Sequence, residues 1–448
     1  MSDLSHSSRP SPSDPLDEVA GALLRSIARA ERGGALLWTA APTALIDHAR
    51  GPVQRPGRLR RAHQTSRTLL SGLARARGSS LVSVGDVLFA YEGANPAATL
   101  EPVITALASA HHTSPVTRSV RPPVARLAAG SREVRHARAT VERELPAGAP
   151  EALERALQAA VRAQARAASA LDALAPRLVV VASQHSTSSR AVIHAARERS
   201  IPTAYLPHAP VADTYQYRDL PTDHAGLRGL KEAEFYQALG AERAPAVVGN
   251  PQATVVVPPT LDPHGPVIFA PRPQRPEQLL AQVAEVSAAA PRVVVSPHPR
   301  MRGKAIYEGL WPSHWEVHDG WTAELLRRGH PCVIQMSSGV AWEAMAHGVP
   351  VIELASEGSA APSYLVIREP YARLCSSGLD LIAAVADARL AAADLRARER
   401  LMAWAREWCA ATGDDAIANA VGWIDECSIA ELPIGALLDH WASGRRAA

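Results

Sequence analysis

Short runs of apolar residues recur along the second half of the chain, and stretches with helical spacing lie between them. The run RLVVVAS at 177–183 is continuous and rich in β-branched residues, which is typical of a strand buried on both faces of a parallel sheet. A helical stretch at 189–200 leads from it to a second apolar run, IPTAYLPH at 201–208. A strand, a helix and a second strand joined this closely predict a parallel sheet with right-handed crossovers.

The alternation begins again further along the chain. After a helical stretch at 227–239, the run AVVGNP at 246–251 predicts a strand that ends in a Gly-Asn-Pro turn. Further strands are predicted at 266–271, 291–299, 315–320, 331–338 and 349–354, and helices at 276–289, 322–328, 340–347 and from Leu379 onward. We therefore predict two doubly wound α/β domains with a break near Gly249–Pro259, followed by a helical C-terminal extension.

The first 170 residues have a less regular pattern. Residues 1–15 are rich in Ser and Pro and are predicted to be disordered, and 16–32 predict an amphipathic helix. Short strands are expected at 35–38, 81–84 and 87–89, and a long helix at 149–174. The predicted organisation is a disordered segment at 1–15, α/β domains at 16–250 and 251–425, and a C-terminal helix at 426–448.

Arginines are concentrated between 50 and 67. One interpretation is a solvated loop and helix face. The alternative is contact with an anionic membrane surface or an anionic acceptor, and the sequence leaves both open.

Composition excludes several classes of protein. The 448 residues are 47% hydrophobic and 20% charged, which rules out wholesale disorder. A net charge of +3 from 47 basic and 44 acidic residues is too balanced to indicate nucleic-acid binding. The 4 cysteines are widely spaced, and neither a signal peptide nor a membrane-spanning run is apparent, so we expect a cytoplasmic protein without disulfides or a zinc site.

Polar clusters at the ends of predicted strands are the places to look for chemistry, because ligands of open parallel sheets bind at the carboxyl ends of strands. The first cluster is Ser296-Pro297-His298-Pro299-Arg300, and Lys304 follows shortly. Prolines restrict the backbone on both sides of the histidine, and imidazole, guanidinium and ammonium groups suit a diphosphate. A histidine that caps a turn beside a solvated basic loop is the alternative.

The second cluster is Ser337-Ser338-Gly339, directly before the predicted helix at 340–347. Serine hydroxyls and the free amides of a helix start can bind phosphate, although plain capping of the helix explains the serines too. Glu343 follows one turn into a largely apolar segment, where a carboxylate without a partner would be costly and where a ribose diol would satisfy it.

Two weaker clusters complete the set. Arg272, in a Pro-rich loop after the strand at 266–271, could reach the same phosphates, and a plain Pro-rich connector explains this loop equally well. In the first domain His208 ends a strand and has a pKa range suited to a base, with a satisfied structural histidine as the alternative. Carboxylates and a second histidine further along the chain or upstream are the other acceptor-side candidates: Glu92, Asp213, Asp223 and His224.

The ordered set of motifs resembles the GT-B glycosyltransferases. It comprises Pro207-His208-Ala209, Gly249-Asn250-Pro251, His298-Pro299, Ser337-Ser338-Gly339, Glu343-Ala344 and Gly348-Val349-Pro350. The order and kind of these motifs are similar to those of capsule polysaccharide transferases, polysialyltransferase-like enzymes and CDP-glycerol glycerophosphotransferases. UDP-N-acetylglucosamine 2-epimerases share the fold and similar motifs. The resemblance covers roughly 176–354.

The resemblance implies two Rossmann-like domains facing a cleft, with donor nucleotide on the second and acceptor on the first. It implies that His298 touches the donor phosphate, with His298 and His208 catalytic. The nucleotide-binding residues would be Arg272, His298, Arg300, Lys304, Ser337, Ser338, Gly339 and Glu343. Ala209 stands where relatives carry glycine after the histidine.

The predicted function is therefore transfer of a sugar or polyol phosphate from a nucleotide-activated donor to an acceptor hydroxyl, in bacterial surface polysaccharide or glycoconjugate synthesis. No metal and no cofactor beyond the co-substrate is expected. The expected partners are a nucleotide-sugar and a carbohydrate or lipid-linked acceptor, with a peripheral position at the inner membrane surface as an option and no nucleic acid. The alternatives are an epimerase of the 2-epimerase type and a nucleotide-sugar-binding pseudoenzyme.

Overall fold

The computed structural model describes residues 38–40, 79–118, 134, 149–212, 217, 220–241, 243–354 and 364–430. Within these ranges the chain divides into two compact units. The first contains residues up to His208, 219–225 and the chain from Val421, and the second contains 209–218 and 226–420. The predicted segments 1–15 and 16–32, the basic region at 50–67 and the chain after Ala430 lie outside the described residues.

The first sheet has the strand order β3-β1-β2-β4-β5-β6-β7. Its strands are β1 (Ser79–Val84), β2 (Val87–Glu92), β3 (Val116–Arg118), β4 (Leu178–Val181), β5 (Thr203–Tyr205), β6 (His224–Leu227) and β7 (Ala246–Val247). β1 pairs antiparallel with β2 and β3, whereas β2, β4, β5, β6 and β7 are parallel. The boundary between the units falls within β6.

Helices flank these strands. They are α1 (Ala94–Ala110), α2 (Ala149–Leu174), α3 (Thr187–Arg197) and α4 (Leu230–Ala238). α2 has the predicted bounds, and its residues Leu153, Leu157 and Val161 are buried, as their helical spacing predicted. α1 and β6 were not predicted from the sequence.

The second sheet is entirely parallel, in the order β10-β9-β8-β11-β12-β13. Its strands are β8 (Val267–Ala270), β9 (Val293–Val295), β10 (Glu316–Val317), β11 (Val333–Gln335), β12 (Val351–Leu354) and β13 (Ala372–Cys375). β8, β9, β11 and β12 are buried along their full length, which is what continuous apolar runs predict.

Further helices lie between and after these strands, and the last of them begins in the second unit and continues into the first. They are α5 (Pro276–Ala289), α6 (Thr322–Leu326), α7 (Val340–Ala346), α8 (Gly378–Ala393), α9 (Leu395–Trp408) and α10 (Gly413–Ala430). Phe269 and Val295 of the sheet form one core with Leu279 of α5 and Leu381 of α8. Two Rossmann-like α/β units with a helical C-terminal region confirm the predicted α/β fold class.

The units do not follow the break expected at Gly249–Pro259, which lies inside the second unit. The physical reason is that Val248 and Asn250 are hydrogen-bonded to the C-terminal helical region. The Asn250 amide donates to the Ala411 carbonyl at 2.9 Å, and the Asn419 side chain donates to the Val248 carbonyl at 3.3 Å.

Candidate functional site

The carboxyl edge of the second sheet brings three of the predicted clusters together. Arg272 follows β8, His298 follows β9 and Ser337 follows β11, and these strands are parallel neighbours in the order β9-β8-β11. Neighbouring strands lie about 4.8 Å apart, so the loops after β9 and β11 leave the sheet roughly 10 Å from each other. A diphosphate with its ribose can span this distance.

Glu353 and Gln335 organise the loop after β11. They face each other across the β11–β12 pair, and the Gln335 side-chain amide donates to Glu353 Oε2. Glu353 Oε1 accepts from the Ser337 amide at 2.7 Å and from the Ser337 hydroxyl at 3.2 Å. The Ser338 amide donates to Gln335 Oε1 at 2.7 Å. Three hydrogen bonds therefore fix the two serines, and the fourth joins Gln335 to Glu353.

The same contacts revise the expected phosphate binding by helix-start amides. α7 has seven residues, and the Ser337 and Ser338 amides already donate to side chains within the protein. The Ser337 hydroxyl donates to Glu353, and the Ser338 hydroxyl accepts from the Val340 amide at 3.4 Å, so the Ser338 O–H hydrogen is a donor that this loop can offer a ligand. Both serines are partly exposed. Gly339 has φ −58°, and a Cβ there would meet only Pro210 Cδ, at an ordinary 3.5 Å. Neither backbone nor packing therefore requires a glycine at this position.

Burial raises the pKa of Glu353 to about 7, and its hydrogen bonds with Ser337, the charge of Arg272 and the bond from Gln335 oppose that rise. Glu353 is 5% exposed. The sequence reasoning missed it because the run VPVIEL reads as a core strand, in which one glutamate gives no local signal.

His298 is partly buried, and its orientation is fixed by the backbone. The Arg300 amide donates to Nδ1 at 3.1 Å, so the neutral ring carries its proton on Nε2. Burial lowers the pKa of His298, and the charges of Arg300, Arg302 and Lys304 lower it further. The ring is therefore a neutral N–H donor at neutral pH.

The cations around His298 divide into two kinds. Arg302 donates to the Pro297 carbonyl at 3.2 Å and to the Gly320 carbonyl at 2.5 Å, so it holds the loop. Arg300 and Lys304 are exposed, and their predicted role in binding an anion stays a prediction.

Glu343 lies on α7 beside the buried Trp342 and is itself partly buried. Burial raises its pKa, against the charges of Arg228 and Arg327. Among the residues that the structure describes, none forms a hydrogen bond or ion pair with this carboxylate. An acceptor without a partner is available to the hydroxyls of a ligand.

Two further residues near this edge were not expected. Arg228 is 2% exposed, lies over the Trp342 ring at 5.0 Å and is 3.7 Å from Glu232. Burial raises the pKa of Tyr364, and the charges of Arg228 and Arg272 act against that rise. Tyr364 follows residues outside the described ranges, and Arg228 begins a turn that the sequence assigned to a helix. Neither position had a strand-end signal.

In the first unit, His208 lies at the carboxyl end of β5. Its Nδ1 lies 2.5 Å from the Ala182 carbonyl oxygen. Because a carbonyl can only accept, Nδ1 carries the proton and donates it, and Nε2 is the basic nitrogen. The ring centroid of His185 is 6.1 Å away, and burial, with the charges of His208 and Arg190, lowers the pKa of His185 to about 3. His185 is thus a neutral neighbour.

Glu92 also lies at the carboxyl edge of the first sheet, at the end of β2. Its Oε2 accepts from the Ser188 hydroxyl at 2.5 Å. It therefore shares the sheet edge on which His208 lies.

Asp223 and His224 do not belong to that edge, which corrects the prediction. They stand at the amino end of β6, which is parallel to β5, and so at the opposite edge from His208. Asp223 Oδ2 accepts from the Thr203 amide at 2.8 Å and from its hydroxyl at 2.7 Å. This carboxylate ties two strands together. Asp213 lies outside the described residues.

Two other features are absent from the described part of the chain. There, no three side chains of His, Cys, Asp or Glu are grouped so that they could hold a metal ion. No helix in the same ranges combines the length and apolar character that crossing a membrane requires.

No protein-family model matches the chain. No curated protein matches it either. Solved structures similar to it include S. aureus MnaA in a co-structure with UDP. That similarity has 14% identity and a TM-score of 0.46, and it covers 76% of this chain and 95% of that chain. UDP-GlcNAc 2-epimerase from Neisseria meningitidis bound to UDP-GlcNAc has 13% identity, covers 76% and 97% of the two chains and has a TM-score of 0.45.

CalG4, the calicheamicin glycosyltransferase, has 19% identity over 61% of this chain and 81% of its own, with a TM-score of 0.39. Similarity at these levels does not assign an activity. What the chain's own structure defines is an α/β protein with a polar, cation-bearing strand edge in its second unit.

Proposed function

We propose that this protein is an enzyme that transfers a sugar or polyol phosphate from a nucleotide-activated donor to an acceptor hydroxyl. The observation that carries the proposal is the Glu343 carboxylate. It is partly buried, it has no partner among the described residues, and it belongs to the same unit as the cations at the strand ends. A ribose diol would supply the two hydroxyl donors that such a carboxylate needs.

In this proposal the diphosphate lies against the loops after β8, β9 and β11. His298 donates from Nε2, Arg272 contributes charge, and the Ser337 and Ser338 hydroxyls contribute hydrogen bonds. As the bond between the transferred group and the diphosphate breaks, negative charge grows on the leaving oxygen, and these groups stabilise it without a metal ion.

We assign the acceptor to the first unit. His208 Nε2 carries a lone pair, because Nδ1 holds the proton, and it would take the proton of the attacking hydroxyl as the new bond forms. Glu92 is the second candidate at the same edge. Donor and acceptor in this scheme are a nucleotide-sugar and a carbohydrate or lipid-linked hydroxyl, as expected for surface polysaccharide synthesis.

The direct test is a thermal-shift and calorimetric screen with UDP, CDP, GDP, dTDP and CMP. Binding stabilises the fold by mass action, so one nucleotide should raise the melting temperature and give a measurable Kd. Glu343→Gln should then weaken binding roughly 10- to 100-fold, since a hydrogen bond to a charged group contributes about 1.5–3 kcal/mol. The loss should be smaller for the 2′-deoxy analogue. Glu399→Gln, on the exposed side of α9, is the matched control.

Gly339→Ala provides a second, independent test. The backbone at this position suits alanine, so stability should be unchanged or rise by about 0.4–1 kcal/mol, while a methyl group at the loop surface should weaken nucleotide binding. If no nucleotide in the panel binds, or if both variants bind like the parent protein, the proposal is wrong.

The reaction is tested with the donor that corresponds to the bound nucleotide. Release of nucleotide that depends on an added acceptor supports transfer. Incorporation of deuterium at the sugar C2 in D₂O, without acceptor, would identify epimerisation instead. Tight nucleotide binding with neither reaction would identify a binding protein.

A further inference from the structure

Glu353 is a buried carboxylate, 5% exposed, at the carboxyl edge of β11 and β12. Several elements packed around this carboxylate supply its neighbours. β11 contributes Gln335, and the loop after it contributes Ser337. The loop after β8 contributes the charge of Arg272, Tyr364 lies within electrostatic reach, and β13 places Leu374 opposite Glu353. Arg272 is therefore the only charged group that acts on this carboxylate among the described residues.

The contact between Glu353 and Ser337 holds an unfavourable backbone conformation. Ser337 has φ +43°, in the left-handed region that L-residues other than glycine, asparagine and aspartate rarely adopt. Its amide and hydroxyl both donate to Glu353 Oε1. These two hydrogen bonds hold the serine directly in this conformation, while the Ser338 amide bond to Gln335 holds the next peptide group, so Glu353 is a positioning residue for Ser337.

The hydrogen-bond inventory of the carboxylate shows what would happen if it took up a proton. Three groups donate to it: the Ser337 amide, the Ser337 hydroxyl and the Gln335 amide. The Gln335 orientation is fixed because its Oε1 accepts from Ser338. Amides can only donate here, whereas a hydroxyl can also accept. A proton on Oε1 would therefore be received by the Ser337 oxygen, and the serine would turn its own hydrogen away from Glu353.

We propose that binding of a nucleoside diphosphate at this site is coupled to uptake of one proton by Glu353. The proton comes from solvent and binds Oε1. Ser337 then accepts a hydrogen bond from the protonated carboxyl and donates its own to a phosphate oxygen. No covalent bond other than the O–H bond forms, and the proton returns to solvent when the nucleotide leaves. This inference rests on the proposed nucleotide site.

The electrostatics support this direction of coupling. A bound diphosphate adds negative charge near Glu353 and draws on Arg272, which otherwise favours the ionised carboxylate. The pKa of Glu353, about 7 without ligand, must then rise. Uptake is small at pH well below 7, where the group is already protonated, and largest at and just above pH 7. Affinity should fall as pH rises through that range, by up to about tenfold per pH unit.

Isothermal titration calorimetry at pH 7 measures the proton directly. The nucleoside diphosphate that gives the largest stabilisation in the screen is titrated in PIPES, HEPES and Tris, which differ in ionisation enthalpy. The slope of observed enthalpy against buffer enthalpy gives the protons taken up. Glu353→Gln corrects for ionisation of the nucleotide itself, and we expect the parent protein to take up more protons than this variant.

The double variant Gln335→Glu/Glu353→Gln is the matched control for positioning. In the single variant Glu353→Gln, the side-chain N–H of residue 353 faces the side-chain N–H of Gln335. In the double variant the donor at 353 faces a carboxylate acceptor at 335, and each serine amide still has an acceptor. The double variant should therefore bind nucleotide more tightly than the single variant. Equal binding would contradict the positioning role.

Infrared difference spectroscopy of the parent protein needs no variant. Nucleotide binding should produce the C=O band of a protonated carboxylic acid, and the band should disappear at high pH. If the nucleotide binds with neither the band nor extra proton uptake, this inference is overturned while the nucleotide site stands. If no nucleotide binds, the proposed function fails and the inference with it.

Discussion

The buried ion pair between Arg228 and Glu232 allows a quantitative prediction about stability. Arg228 is 2% exposed and Glu232 1% exposed, with Nε and Oε1 3.7 Å apart. Glu232 also accepts from the Val211 amide at 3.2 Å and from the Arg228 amide at 3.0 Å. Replacing Arg228 with methionine would keep much of the side-chain volume and leave Glu232 without its counter-charge.

Coulomb's law gives an attraction of about 4 kcal/mol at 3.7 Å with an effective dielectric constant of about 20. Removing one partner of a buried pair typically costs about 3–5 kcal/mol, so we expect Arg228→Met to lower the free energy of unfolding by that amount. Burial already raises the pKa of Glu232 against the charge of Arg228. Without that charge the pKa rises further, and the loss should be smaller at pH 5 than at pH 8.

Urea unfolding of the full chain, followed by tryptophan fluorescence, measures these free energies. Lys231→Met is the control, because Lys231 and Glu234 lie closer, at 2.9 Å, but are 35% and 60% exposed. That exposed pair should contribute less than about 1 kcal/mol. Arg228→Met/Glu232→Gln should cost less than the sum of its single variants. If Arg228→Met cost no more than the control, or cost the same at both pH values, the reasoning from burial would be refuted.

Three more predictions follow from residues already described. The pKa of Glu353 rises from 4.5 to about 7 on folding, so the protonated carboxyl contributes its full share to the free energy of unfolding below pH 4.5. About 3 kcal/mol of that free energy is lost as pH rises through 7, and urea unfolding of Glu353→Gln should lack this loss. Gly249 has φ +100°, and a Cβ there would lie 2.4 Å from a backbone carbonyl oxygen, so Gly249→Ala should lower the free energy of unfolding by at least about 3 kcal/mol. Gly240→Ala should lower it by about 1–2 kcal/mol, because φ is +85° there but no atom lies near the added Cβ; similar melting temperatures for the two variants would contradict this. His298→Ala should weaken binding of a nucleoside diphosphate about tenfold and of the nucleoside little, whereas exposed His264→Ala should change neither, as measured by calorimetry.

The sequence was most informative where the signal is local. α2 and α5 begin and end as their periodicity predicted, because amphipathic spacing and a proline at the start of α5 define a helix within its own residues. Likewise, His298 and Ser337 could be placed at strand ends from the apolar runs before them. Those two loops share a sheet edge, as expected from the rule for parallel strands.

Features that depend on strand pairing could not be predicted from the local sequence. Glu353 and Gln335 are 18 positions apart and become a pair only through the β11–β12 register. β6 has the sequence HAGL, without a β-branched residue, so its orientation could not be inferred, and Asp223 and His224 were assigned to the wrong edge. Pairing partners are chosen by the whole sheet, and a single segment does not encode them.

The discontinuity of the two units has a consequence for how the chain acquires its structure. α10 begins in the second unit and, from Val421, belongs to the first, where Asp425 lies 2.9 Å from His111. The first unit is thus incomplete until the residues from Val421 onward have left the ribosome. A fragment cut at residue 420 would sever this helix and remove the residues of α10 that belong to the first unit, so biochemical dissection of the protein into halves should yield less stable pieces than the uncut chain.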